Sequence, residues 1–328
     1  MRAMNQRAVL DFLRRSGPAT RPQAVVDTGL SKPTVGFVLK ALEAAGLVRS
    51  AGTITTLAGR TAPLYEADPG AGYVLGIDVG QNYVRAAVSD LGRTIVARRD
   101  EPNRAFTGTE LVAVVARIAA DTIADAGLTP AEIMVRVIGS PGVVDPVNRC
   151  FRHSPNLPGW DHAGLLDELE GAFGAEVLVE NDANLAAVGE WESGAARGTS
   201  VFGCLTVGAD AGLGLMVNGR VFRGATGAAG EINYLPHEED RPLHQRLAYT
   251  VASVAAVVDP ELIVLAGRMG PDGDLLLESV ERSLRSLTPY QPTVVEGELG
   301  ADGVLVGAIS VGVRAAEDLV FERWVAEN

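Results

Sequence analysis

Twice in this sequence a buried apolar run ends at a glycine-containing turn and is followed by a strand that folds straight back. A chain that repeats such a unit is constrained to build two related lobes rather than one continuous sheet. The first unit is Tyr73-Val74-Leu75-Gly76-Ile77-Asp78-Val79-Gly80, after which residues 83–89 and 94–98 form a hairpin around the turn Asp90-Leu91-Gly92-Arg93. The second is Val201-Phe202-Gly203-Cys204-Leu205-Thr206-Val207, which continues into residues 212–217 and turns at Asn218-Gly219, a dipeptide suited to the positive φ angles of a two-residue hairpin. Helical periodicity covers residues 110–126, a strand comes next at 135–138, and Gly139-Ser140-Pro141-Gly142 opens a long loop that runs through Trp160. Strand, hairpin, helix, strand is the order of a mixed α/β sheet. Two such lobes enclose a cleft, and clefts of that kind hold small ligands.

The N-terminal part has a different pattern. Val9, Phe12 and Leu13 lie at helical spacing, and Gly17-Pro18 ends that helix. Thr20 caps a short helix with Pro22 in its first turn, Val25 and Val26 face inward, and Gly29 supplies the turn before Leu30. Ser31 caps the next helix, in which Val35, Val38, Leu39 and Leu42 fall at i, i+3, i+4 and i+7 and leave Lys32, Thr34, Gly36 and Lys40 on other faces. A helix, a glycine turn and a capped second helix are the layout of a helix-turn-helix, whose second helix carries its first residues to base edges in the major groove. After Ala45-Gly46, residues 47–49 and 63–66 read as short strands around a Gly/Thr loop, which completes a winged helix. Candidate DNA contacts are Arg21, Ser31, Lys32, Thr34 and Lys40, with Arg60 placed at a wing tip within reach of phosphates or the minor groove.

The same three-helix frame also serves protein interaction, so charge is needed to decide. Residues 1–65 carry nine Lys/Arg against three Asp/Glu, a net of +6 that leaves −19 on the remainder of a chain whose total is −13. A basic head on an acidic body offers one face to a polyanion and keeps the rest away from it. Charge and motif together favour DNA. Asp68-Pro69-Gly70-Ala71-Gly72 reads as a linker, so the expected domains are a winged helix over 1–68, a first lobe over 69–182 and a second lobe over 183–328 whose C-terminal helix returns to the first. No stretch approaches the roughly 18 apolar residues of a membrane span, and the first residues form no secretion signal; the expected compartment is the cytoplasm, with no membrane partner. Cys150 and Cys204, the only cysteines, are far apart and read as small core hydrophobes rather than a disulfide or a zinc site.

Three polar clusters fall in loops: Asn156-Leu157-Pro158-Gly159-Trp160, Glu180-Asn181-Asp182-Ala183-Asn184 after the strand Val177-Leu178-Val179, and Gly227-Ala228-Ala229-Gly230-Glu231. Carboxylates and carboxamides of this kind bind sugar hydroxyls through fixed acceptors and donors. The same residues also cap helices and make turns, and the sequence leaves both roles open.

Taken together these motifs resemble the ROK family, named for repressors, open reading frames and kinases, and in particular its regulators with an N-terminal winged helix. The likeness spans nearly the whole chain. It is carried by Val179-Glu180-Asn181-Asp182-Ala183-Asn184 with Gly189-Glu190, by Asn218-Gly219, Arg223-Gly224 and Gly227-Ala228-Ala229-Gly230-Glu231, and by Val258-Asp259-Pro260-Glu261 before Ile263-Val264-Leu265-Ala266-Gly267. The resemblance implies an actin-like, ribonuclease-H-like two-lobed fold. In family kinases the aspartate matching Asp182 is the general base toward the sugar hydroxyl, and residues matching Asn181 and Glu231 hold the sugar.

The departures from the family pattern fall on the chemistry. Phosphoryl transfer requires glycine-rich loops that admit phosphates, and a metal site. In family kinases the first loop continues past Asp-x-Gly with Gly and Thr, whereas Gln81-Asn82 come after Asp78-Val79-Gly80 here; the second, Gly-Thr-Gly, reads Gly208-Ala209-Asp210, and a carboxylate at Asp210 repels ATP. The family's zinc histidine is replaced by Tyr234 and its Cys-x-Cys-Gly-x-x-Gly-Cys run is absent, while the short stretch from Glu231 to Asp259 implies a shortened second lobe. These features predict a cytoplasmic DNA-binding transcriptional regulator, a repressor of sugar-related genes, that is not an enzyme and uses no cofactor or metal. Its expected partners are a double-stranded DNA operator, a second copy of the chain in a dimer or higher oligomer, and a sugar or sugar-derivative effector held by Asn156, Asn181, Asp182 and Glu231. Two other readings stay open: an ATP-dependent sugar kinase, and a DNA-binding dimer that senses no ligand.

Overall fold

The computed structural model describes residues 2–55, 61–145, 147–154, 156–207, 211–235, 241–267 and 273–327. They fall into two compact units, one formed by 1–73, 89–94 and 313–328, the other by 74–88 and 95–312. The first unit opens with α1 (Arg2–Ser16), β1 (Ala19–Thr20), α2 (Arg21–Thr28), α3 (Lys32–Ala44), β2 (Val48–Thr55) and β3 (Thr61–Ala67), the strands pairing in the order β1-β3-β2. This is the element order of a winged helix. The Thr20 backbone N–H donates to the Gln23 side chain at 2.7 Å to start α2, the Gly29 N–H returns to Val25 O at 3.1 Å to end it, and Ser31 Oγ accepts the Thr34 N–H at 3.3 Å to start α3. Val9, Leu10 and Leu13 of α1 pack with Val35, Val38, Leu39 and Leu42 of α3, all buried.

One sequence expectation fails in this core. Val26 does not face inward; it is 84% exposed, and the buried residue of α2 is Ala24. Residues two positions apart on a helix are turned 200° from each other, so the choice of Ala24 for the crowded side facing α1 and α3 turns Val26 to water.

The second unit begins with β4 (Tyr73–Val79), β5 (Tyr83–Asp90), β6 (Ile95–Pro102), α4 (Gly108–Asp125), β7 (Ile133–Ser140), β8 (Val143–Asp145), β9 (Cys150–Arg152), α5 (Leu165–Phe173), β10 (Leu178–Asn181) and α6 (Asp182–Ser193). It continues with β11 (Val201–Thr206), β12 (Gly212–Val217), β13 (Arg220–Val221), α7 (Leu243–Val258), β14 (Leu262–Ala266), α8 (Gly273–Leu287), β15 (Thr293–Glu296) and the start of α9 (Gly303–Glu327). The strands form two five-stranded sheets, β10-β7-β4-β5-β6 and β15-β14-β11-β12-β13. Matching strands in chain order gives the same arrangement in both, so the repeated strand-hairpin unit of the sequence is a repeated sheet. β10 runs parallel to β7, and β14 parallel to β11 and β15, while β11 and β12 are antiparallel.

Alternation along the second sheet explains its two coats. Phe202, Cys204, Met216 and Val264 pack with Ala186 and Ala187 of α6, whereas Leu205, Leu213, Ile263 and Leu265 pack with Leu247 and Val251 of α7 and Val280 and Leu284 of α8. Gly214 lets α6 lie against β12, because a Cβ there would stand 2.2 Å from Ala183 O. Between Glu231 and Asp259 the described residues hold one 3-10 turn at Ile232–Tyr234 and α7. No helix among the described residues is long and apolar enough to cross a membrane.

Candidate functional site

The strand-to-helix junction from β10 to α6 concentrates the polar residues of the second unit. Asn181 is the N-cap of α6: its Oδ1 accepts the Asn184 N–H at 3.1 Å and its Nδ2 donates to Gly142 O at 3.2 Å. The bland role of the Asn/Asp cluster is therefore real and leaves part of the amide for a ligand. Asp182 comes next, at the first helical position, where its Oδ1 accepts the Ala183 N–H at 2.8 Å. Desolvation pushes its pKa up to about 6, against the pull of the Ala183 hydrogen bond, and the negative charges of Asp78 and Glu231 add to the rise. Asp182 thus feels both of those carboxylates.

Glu231 arrives from the second sheet's side on a turn that only glycine can precede. Gly230 sits at φ +94°, and a Cβ there would meet Leu213 O at 1.9 Å. Burial raises the Glu231 pKa, opposed by the nearby charge of His153. Asn156 lies on a separate loop, half-buried in the turn that leads to Trp160. That loop is anchored by Trp160, fully buried with its indole N–H donating to Ser140 Oγ at 2.7 Å, and by Ser154 Oγ donating to Pro141 O at 2.8 Å.

Several neighbours were not singled out as site residues by sequence reasoning. Glu180 is a nearly buried carboxylate filled by its surroundings: Asn184 Nδ2 donates at 2.9 Å, the Asn181 N–H at 3.0 Å and Arg223 Nε at 2.8 Å. Its signal is Asn184, which the turn at the N-cap Asn181 brings back to the Glu180 carboxylate. His153 carries a positive φ of 58° and meets the Tyr234 ring edge-on at 5.9 Å. Asp78, at the end of β4, is buried and takes Arg85 Nη1 at 2.7 Å; burial raises its pKa while Arg85 opposes. Arg85 also approaches Asp100 at 3.5 Å, and Arg98 joins Asp100 to Asp302 at 2.7 and 2.8 Å. The second phosphate-loop segment, Gly208-Ala209-Asp210, lies outside the described residues.

The described residues do not fit the family's zinc ion. Tyr234, at the histidine's position, brings a ring rather than an imidazole, and the two cysteines are buried apart, Cys150 on β9 and Cys204 in the core of the second sheet, with desolvation raising both thiols away from the metal-binding thiolate.

In the first unit, Ser31 and Thr34 are engaged with each other, their hydroxyls 2.8 Å apart at the start of α3. Lys32 and Lys40 are exposed. Arg21 reaches across from α2, donating to Lys32 O and laying its guanidinium over Gly36, where the space of a missing side chain admits it. Arg60 lies outside the described residues.

The fold is a sugar-kinase-like body of two repeated sheets, carried in one chain with an N-terminal unit that has the element order of a winged helix. The ROK family profile matches residues 74–243, just over half of the sequence. The chain belongs to the ROK family. It is 26% identical over 242 residues to the xylose repressor of Bacillus spizizenii, covering 74% of this chain and 62% of that protein, and 39% identical over 106 residues to the glucokinase of Thermotoga maritima, covering about a third of each. The chain thus spans less than two thirds of the length of the repressors it matches. Among solved structures, a ROK family transcriptional regulator homologous to the E. coli MLC protein superposes over 100% of this chain and 99% of its own with a TM-score of 0.74 at 17% identity. A ROK hexokinase from Thermus thermophilus covers 75% of this chain and 99% of its own with a TM-score of 0.62 at 25% identity.

Proposed function

We propose that this chain is a DNA-binding transcriptional regulator, a repressor of sugar-related genes, that works in the cytoplasm as a dimer and whose body binds a sugar or sugar derivative without phosphorylating it. In this reading residues 1–68 bind DNA, through Arg21, Ser31, Lys32, Thr34, Lys40 and Arg60. Residues 69–182 and 183–328 form the two lobes, and Asn156, Asn181, Asp182 and Glu231 hold the effector. The observation that carries it is the winged helix, basic where the body is acidic, in one chain with a ROK body whose Asp78 already holds an arginine of its own. A carboxylate neutralised by Arg85 has little left to offer a metal–phosphate group, and phosphoryl transfer depends almost wholly on that positioning. The relatives that carry repressor and regulator names support the same reading.

Two points favour a second reading, that of an ATP-dependent sugar kinase: a pKa near 6 at Asp182 suits a general base at neutral pH, and a glucokinase is among the relatives. The experiment is a two-armed titration of the whole chain. In one arm a pool of random duplexes is selected for binding; recovery of a two-fold symmetric site with half-sites about one helical turn, or a multiple, apart is the expected result. In the other arm a sugar panel is screened for binding and for ADP release. Sugar binding that weakens in Asp182→Ala and Glu231→Ala without turnover supports the regulator. Turnover of roughly 1–100 per second, lost in Asp182→Ala, establishes the kinase instead, and DNA binding with no sugar at all leaves a dimer that senses no ligand.

A further inference from the structure

The outward face of α3 is built around an aromatic ring. Val35, Val38, Leu39 and Leu42 are its buried residues. At 100° per residue the stripe opposite them is Pro33, Phe37, Lys40 and Ala44, and all four are exposed. Phe37 stands at the middle of that stripe with 59% of its surface in water. The surroundings of the ring are cationic. Arg2 of α1 places its guanidinium carbon 5.6 Å from the ring centroid, which steadies the ring and sets a positive charge beside it. Arg21 lies over the adjoining Gly36, held by Lys32 O, while Lys40 continues the stripe three residues on and Lys32 opens the helix before it.

An exposed apolar ring with Arg2 beside it, on a helix that also carries the exposed Lys32 and Lys40, matches one surface in particular. The cations meet phosphates, and the only apolar group that the major groove of B-DNA presents is the C5-methyl of thymine. An aromatic side chain on the groove-facing stripe gains by covering that methyl, whereas a cytosine in its place offers an amino donor and no methyl. Phe37 is also reached by none of the hydrogen-bond constraints that hold Ser31, Thr34 and Arg21 in place. We propose that Phe37 is a specificity-determining residue that reads the methyl group of a thymine in the operator, with Arg2 and Lys40 holding the phosphates on either side. The inference rests on the DNA-binding reading above.

The test uses the full chain and the duplex recovered by selection. Each thymine is replaced in turn by deoxyuridine, which removes the C5-methyl and nothing else, and affinity is measured by fluorescence anisotropy for the wild type, Phe37→Ala and Phe37→Leu. The expected result is one thymine per half-site whose demethylation weakens wild-type binding about fourfold, the factor that corresponds to roughly 0.8 kcal/mol for one buried methyl-sized group. Phe37→Ala binds the methylated site more weakly and does not distinguish it from the demethylated one, while Phe37→Leu keeps part of the discrimination. Because Phe37 is exposed, neither variant disturbs the core. Identical demethylation profiles in the wild type and Phe37→Ala, or no thymine that responds in either, overturns the assignment while DNA binding stands. A selection that enriches no sequence overturns the DNA-binding reading itself, and this inference with it.

Discussion

Asp182 shows how a single carboxylate is held between folding and function. Its pKa of about 6 lies above the 3.8 of an unconstrained aspartate, so the folded protein binds its proton more tightly than the unfolded chain. For an acid shifted upward, folding is favoured most below the unfolded value, and that advantage disappears as pH rises from 3.8 through about 6. At neutral pH the ionised group is therefore a cost, on the order of 2–3 kcal/mol from a shift of about two units. Asp182→Asn, which keeps an acceptor for the Ala183 N–H and removes the charge, should raise the unfolding midpoint at pH 7.5, with the gain shrinking toward pH 4. Urea titrations at both pH values measure it, and an equal gain at both, or a loss at pH 7.5, contradicts the account. The residues that make this environment were unevenly legible. Asn181 and Asp182 could be read as cap or ligand, and the cap is visible as the Asn184 hydrogen bond. The Asp78–Arg85 pair is seven residues apart in sequence and becomes a contact only when β4 and β5 fold back on each other.

Elements were legible where their own periodicity defined them and obscure where a partner far along the chain did. The N-terminal helices and the two strand-hairpin units are dictated by spacing, capping and glycine turns. The sequence expectation for α2 failed at Val26 because the helix offers three consecutive apolar residues, Ala24, Val25 and Val26, for one buried side, and only packing against α1 and α3 chooses among them. The contact between α1 and the last turns of α9, both within the first unit, was beyond reach, since its partners lie about 300 positions apart. There Arg14, 13% exposed, meets Glu317 at 3.3 Å and also donates to its carbonyl, and Arg7 pairs with Asp318 and lies 5.2 Å from the Phe321 ring centroid. Burial lowers the Arg14 pKa and raises that of Glu317, and the charge of each opposes the shift of the other. Glu317→Leu alone should cost about 1–3 kcal/mol by leaving Arg14 without its carboxylate. The double variant Arg14→Leu with Glu317→Leu should recover most of that loss, because replacing both members of a buried pair by apolar groups is often neutral. A thermal double-mutant cycle reads the coupling, and strictly additive losses would show that the pair contributes nothing as a pair.

At the scale of the molecule, the duplicated sheet order was visible in the sequence as a repeat, while the division into units was not: residues 89–94 and 313–328 cluster with the first 73 residues, although they are remote from them in sequence. Charge is distributed on the same large scale, +6 over residues 1–65 and −19 elsewhere, and this makes a sharp demand on DNA binding. Association with a duplex releases counterions, so the logarithm of the affinity falls linearly with the logarithm of salt concentration, by about 0.9 for each phosphate neutralised. If only the head meets DNA, the slope must belong to head cations alone. Lys40, exposed on the outward stripe of α3, should lower the slope by about one when changed to alanine and weaken all sequences nearly equally. Arg285, exposed on α8 in the acidic body, is the matched control, and Arg285→Ala should leave both slope and affinity as they are. Anisotropy titrations over about 50–200 mM salt, the range across which several phosphate contacts change affinity by orders of magnitude, decide the matter. A slope that drops for Arg285→Ala would bring the body onto the DNA, and one that ignores Lys40→Ala would remove α3 from the phosphate contacts.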